Sequence, residues 1–207
     1  VLVLNGDPEV ETGFAIGLAL ATLGFSLWIG GVVLILARRR GMSMADLGFR
    51  PMEGTAWLWP VATWFGGVML VAAYSLVIFV VEELTGRDLS RLVEGNPLPE
   101  TEATTALVWA VLGVAVILAA PFGEELFFRA FLFRAVQARW GLIAGLVASG
   151  GAFAVVHFEV SVFLPFWGIG MLFAWAYHRS GSLWTPVIAH AIFNSVSFAA
   201  TIAGVNS

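Results

Sequence analysis

The chain has 207 residues, 59% of them hydrophobic and only 12% charged, and a mean hydropathy of +0.91. This excludes an ordinary soluble domain and points to an integral membrane protein. Cysteine is absent, which excludes disulfides and thiolate chemistry, and a net charge of −4 is too small to define a partner; nucleic acid is not expected.

In chain order, residues 1–12 are too polar for the apolar core of a signal peptide. Gly13–Ala37 carries no charge and is long enough to span the hydrocarbon layer. It stops at Arg38-Arg39-Arg40, which with Arg50 marks the cytoplasmic side and places the N-terminal segment outside. Thr55–Val81 reads as a second span, opened by the interfacial Trp57, Trp59 and Trp64, and Glu82–Ala103 as an acidic outer loop. Thr104–Ala120 is a third apolar run, which Pro121 and Gly123 are expected to break. Gly141–His157 and Phe166–Tyr177 follow, then a helix from Pro186 to about residue 203 with Thr185 as its N-cap. No repeat or linker appears. The pattern predicts one domain over 1–207, an all-α polytopic transmembrane bundle of about six to eight helices, with a motif-bearing core at 104–203. All ten basic residues are arginine, which fits a GC-rich prokaryotic genome and a prokaryotic plasma membrane.

The stretch Pro121–Gly141 sets two glutamates and three arginines in this hydrocarbon background. Ionisable groups at membrane depth are costly unless paired or held in a polar cavity, and so mark functional sites. Glu125 and Arg129 stand four apart in the favourable order for a helical ion pair. Glu124 lies about 100° round the helix, so Arg129 is not expected to serve both carboxylates. On the last helix His190 and Asn194 share a face, and His157 follows Phe153 by one turn. Any one of these could be a buried polar residue satisfied by a backbone carbonyl, but a spare glutamate, two histidines and an asparagine in one bundle favour a site. His178, beside Arg179 at a helix end, reads as an interface residue.

Glu124-Glu125-x-x-x-Arg129, Phe153-x-x-x-His157 and His190-x-x-x-Asn194, in that order on hydrophobic helices, resemble the three motifs of the CPBP family. These intramembrane proteases include the CAAX prenyl endopeptidases and the bacteriocin-processing, ABI-type enzymes. The resemblance covers about 121–194. It implies that Glu124 and His157 activate the attacking water, that His190 and Asn194 hold the oxyanion, and that Glu125, Arg129 and Phe153 support them. It also implies a peptide or protein substrate, with or without a lipid anchor.

The residues suit that chemistry. Amide hydrolysis needs a base for water and donors aimed at the oxyanion. No Ser or Cys stands in a convincing nucleophile setting, so water is the expected attacker. Glu124, His157 and His190 would also make a His2Glu set of the catalytic zinc type. The HExxH helix is absent, however, and a metal-free glutamate mechanism is the preferred expectation. A proton-coupled transporter and a non-catalytic scaffold or immunity-type protein are the rival readings. For His157 and His190 to meet, the turn at Trp140-Gly141 should project from the membrane, with a buried link from Phe158 to Pro165.

Overall fold

The computed structural model describes residues 8–93, 106–157 and 160–204, and every regular element among them is helical. The chain forms α1 (Pro8–Arg39), α2 (Leu58–Thr85), α3 (Ala106–Gly113), α4 (Ala120–Glu125), α5 (Arg134–Val155), α6 (Val160–Ser180) and α7 (Trp184–Ile202). Two π-helical stretches, Val114–Ala119 and Leu126–Phe133, join α3 to α4 and α4 to α5. Four helical stretches among the described residues are long and apolar enough to cross a membrane: Ile16–Arg39, Gly54–Thr85, Ala106–Val155 and Trp184–Ile202. The protein is therefore an all-α membrane bundle. Large apolar side chains such as Leu27, Trp28, Leu58 and Leu76 are each more than half exposed on its outer surface, as lipid-facing residues should be.

Fewer spans stand out than the six to eight expected. One reason is that the anticipated break at Pro121 does not occur. The wider π-helical turns on either side absorb the hydrogen bond that proline cannot make, so the helix runs on through Glu124 and Glu125. Gly123 serves a different purpose. A Cβ there would collide with the backbone carbonyl of Ser26, and Gly30 lies against the same position, so α1 and α4 touch backbone to backbone.

The break comes instead at Gly141, whose φ of 85° and ψ of 175° are open to glycine. Trp140 beside it is 68% exposed. Beyond it α5 folds back on the preceding helix: Gly145 meets the Phe133 ring, and Ser149 Oγ donates to the Phe128 carbonyl at 2.9 Å. α5 then packs against α6 through Gly150 and Gly170, with their backbones in contact.

While Arg87 and Arg91 follow α2 at one end, most of the arginines gather at the other. The 40–53 loop is pinned there by Leu183 N donating to the Gly48 carbonyl (2.7 Å), by Ser182 Oγ to the Arg50 carbonyl (2.7 Å) and by Arg134 to the Asp46 carbonyl. Gly48 has φ 96° and faces the Tyr177 ring too closely for any side chain. This end therefore collects the finish of α1, the start of α2, the start of α5, the finish of α6 and the start of α7, with Arg38–Arg40, Arg50, Arg134 and Arg179. It carries more positive charge than the end with Arg87 and Arg91, the asymmetry expected of a cytoplasmic face.

Two further expectations need correction. Thr185 is no N-cap: α7 begins at Trp184, and the Thr185 hydroxyl turns to the Met52 sulfur at 3.4 Å. Pro186 still falls within the first turn, where a missing N–H costs nothing. The buried link to Pro165 is largely helix. α6 starts at Val160 and includes Pro165 early in its course, where few carbonyls precede it to clash. Ser161 and Val162 share a cavity with Leu92 and Val93, so α6 begins near the end opposite the arginines rather than in mid-membrane. Phe158 and Glu159 lie outside the described residues, as do 94–105, which include the second part of the expected outer loop. α2 itself runs on to Thr85, so Glu82 and Glu83 are helical.

Candidate active site

Glu125 lies nine residues before Arg134, and His190 six after Trp184, which puts both roughly 9–13 Å inside the arginine end. They meet there: His190 Nδ1 is 2.9 Å from Glu125 Oε1. The second carboxylate oxygen of Glu125 lies 2.9 Å from Arg129 Nε. That N–H is not aligned along the contact, so this is a close ion pair rather than a linear hydrogen bond. Glu125 and Arg129 are both 0% exposed. Isolated, either charge would be very costly to bury; together with His190 they form a compensated cluster.

Arg129 is held by more than its carboxylate. Its guanidinium carbon lies 4.7 Å from the Phe153 ring centre, 5.3 Å from Phe173 and 5.6 Å from Phe128, which places the cation among three π faces. Nη2 also reaches the Gly170 carbonyl at 3.4 Å. That carbonyl is within range because the Gly150–Gly170 contact brings α6 so close to α5.

Phe153 is the hub of the site. Its ring centre is 4.8 Å from His157 and 5.6 Å from His190, so the two histidines flank one aromatic ring. His157 Nδ1 is 2.8 Å from the Phe153 carbonyl, and the Phe166 ring stands edge-on to the imidazole at 4.5 Å. A carbonyl can only accept, so Nδ1 carries the proton and Nε2 of neutral His157 presents a lone pair. The same holds for His190 against an ionised Glu125: its Nε2 is an acceptor when the ring is neutral and a donor when it is protonated.

Glu124 differs from its neighbour. It is only partly buried as a residue, yet its Oε2 is shielded from solvent and has no hydrogen-bond partner. Asn194 is one turn beyond His190, but its Nδ2 donates to the Val116 carbonyl at 2.7 Å, inside the first π-helical stretch. His178 bonds Gln137 at 3.0 Å at the arginine end, away from the cluster.

The structure thus brings Glu125, Arg129, Phe153, His157 and His190 into one contact network, with Asn194 anchored beside it. Phe128, Phe166 and Phe173 also belong to this shell. They were not anticipated, because a phenylalanine in an apolar helix carries no sequence signal of what its ring faces. The zinc set fits less well. The two imidazoles have the anchored Nδ1–H typical of ligands, but among the described residues no three His, Asp or Glu side chains converge to hold a metal ion.

Residues 105–196 match the family described as type II CAAX prenyl endopeptidase Rce1-like. The motif-bearing part of the chain is thus similar to the CAAX-type membrane proteases that the three motifs resemble. The chain is also 26% identical over 167 residues to YdiL of Bacillus subtilis (strain 168), provisionally named a membrane peptidase. That match covers 79% of this chain and 64% of the relative, so the chain spans somewhat under two thirds of that protein's length. No solved structure matches it.

Proposed function

We propose that the chain is an intramembrane endopeptidase of a prokaryotic plasma membrane, which hydrolyses a peptide bond in a peptide or protein substrate, with or without a lipid anchor. Glu124 takes one proton of a water molecule while the water oxygen bonds to the carbonyl carbon. The His157 Nε2 lone pair orients that water. Charge moving to the carbonyl oxygen is met by the second amide N–H of Asn194 and by Nε2–H of His190, protonated against Glu125. On collapse the C–N bond breaks, the proton on Glu124 passes to the leaving amine, and the carboxylate is restored.

The observation that carries this reading is the contrast at the paired glutamates: Glu125 stands in close ion pairs with Arg129 and His190, whereas the shielded Oε2 of Glu124 has neither an ion pair nor a hydrogen-bond partner among the described residues. A shielded carboxylate oxygen without a partner, one residue from the cluster that holds His190, supports a role in proton transfer.

Cleavage of a peptide substrate by the reconstituted protein tests it. Glu124→Gln should lower the rate by about 10²–10⁴-fold, the usual weight of a general base, while the variant still extracts and unfolds like the parent. Full activity in that variant would end the mechanism. Exhaustive chelation should leave activity in place; loss restored by stoichiometric zinc would move Glu124, His157 and His190 to the role of ligands. A wild-type chain that cleaves nothing would favour the scaffold or transporter readings.

A further inference from the structure

At the arginine end, α1 and the helix entering α5 leave a groove of about 300 Å³ between them, walled by Val33 and Leu36 on one side and Phe131 and Ala135 on the other. Leu36 is 38% and Phe131 40% exposed, so the groove opens sideways onto hydrocarbon. Arg40 and Arg134 also line it, and both are exposed residues at the cytoplasmic interface. Among the described residues neither is paired with a carboxylate. Arg134 bonds the Asp46 carbonyl and the Tyr177 hydroxyl, and a guanidinium with five N–H donors keeps capacity for a further acceptor.

Two exposed cations without a close ion pair, at the mouth of an apolar groove and at headgroup depth, complement a ligand that carries anion and hydrocarbon in one molecule. We infer that this groove binds one anionic glycerophospholipid, its phosphate between Arg40 and Arg134 and part of an acyl chain along Val33, Leu36, Phe131 and Ala135. The site is separate from the glutamate cluster and stands whether or not the chain is a protease. Arg39 belongs to the same basic run but does not line the groove, so bulk surface charge and a built site make different predictions.

The test is thermal unfolding of the purified full chain in neutral detergent, titrated with phosphatidylglycerol, phosphatidylcholine or inorganic phosphate. Phosphatidylglycerol should raise the midpoint with saturation, and the other two should not at the same concentration. Arg40→Gln should weaken the apparent affinity about fivefold, the weight of one interfacial arginine against anionic lipid, and Ala135→Trp should abolish saturable binding by filling the groove. Arg39→Gln should leave it unchanged. Equal stabilisation by phosphatidylcholine, an equal shift with inorganic phosphate alone, or equal loss in the Arg39 and Arg40 variants would each overturn the proposal.

Discussion

Arg129 and Arg134 stand five residues apart on one helical stretch, and the fold treats them in opposite ways. Arg129 is fully buried, paired with Glu125 and enclosed by three phenylalanine rings. Arg134 is exposed, bonds the Asp46 carbonyl and the Tyr177 hydroxyl, and has the Asp46 carboxylate nearby but no close ion pair. The difference follows from where each sits relative to water. At the interface a guanidinium keeps its hydration and can remain available to lipid or solvent. Little more than one turn deeper, every partner must come from the protein, and the packing that supplies them also orients His157 and His190. The price of one buried arginine is thus a rigid shell, and that shell is the candidate site.

Breaking the buried pair should therefore have the largest effect on stability. Glu125→Gln leaves Arg129 without its counter-charge and should cost about 3–5 kcal/mol, as for other buried pairs deprived of one partner. Thermal unfolding in detergent measures this, and the double change Glu125→Gln with Arg129→Gln should recover part of the loss. Arg134→Gln should cost about 1 kcal/mol or less, because its bonds to the Asp46 carbonyl and Tyr177 are made by an exposed group that water can serve instead. Similar losses at the two arginines would mean that the deep pair is far better hydrated than its geometry indicates.

The aromatic part of the shell comes next. Phe153→Leu keeps an apolar side chain but removes the ring shared by Arg129, His157 and His190. The loss expected is about 1–3 kcal/mol, from the cation–π contact and imperfect repacking. Cleavage should fall by more than stability alone explains, since both imidazoles lose the surface that sets their orientation. A variant with parental stability and parental rate would reduce Phe153 to ordinary core.

How much of this was legible beforehand follows the same division. The ion pair of Glu125 and Arg129 could be read from spacing because an i,i+4 contact is local to one helix. The basic run at 38–40 and the arginines near 134 and 179 could be placed on one face because interface charge is a compositional signal. Bonds between helices could not be foreseen. His190 meets Glu125 across sixty-five positions, and the Asn194 amide finds the Val116 carbonyl only because a π-helical turn frees it. Pro121 misled for a related reason: proline is a reliable sign that one α-helical hydrogen bond is missing, but a wider turn can absorb the gap as readily as a break. Gly141, with no proline near it, carries the turn instead, since a positive φ is a backbone demand that glycine meets at least cost.

The smallest effect belongs to the loop that Arg134 helps to hold, and it is the one part of the comparison that responds to pH from outside the membrane. Asp46 Oδ2 accepts from Ser43 N at 2.8 Å and from Ser43 Oγ at 2.7 Å. These two hydrogen bonds, side chain first, with Arg50 and Arg134 nearby, hold the carboxyl below its ordinary value of 3.8. A depressed folded-state value means that the turn is fully supported above about pH 4 and loses that support as pH falls through the lower, folded value. The carboxyl is exposed, so the gain is small and screened by salt. Amide exchange at Ser43 should show it: protection relative to Ser43→Ala should stay level from pH 7 to about 5 and decline below about 4, with a smaller difference in high salt. The buried cluster offers no such dependence on salt, because its charges are compensated by fixed neighbours within a few ångströms. If Ser43 protection instead rose on acidification, the carboxyl would be bound in its protonated form, and the assignment of Asp46 as an anchored anion beside Arg134 would be wrong.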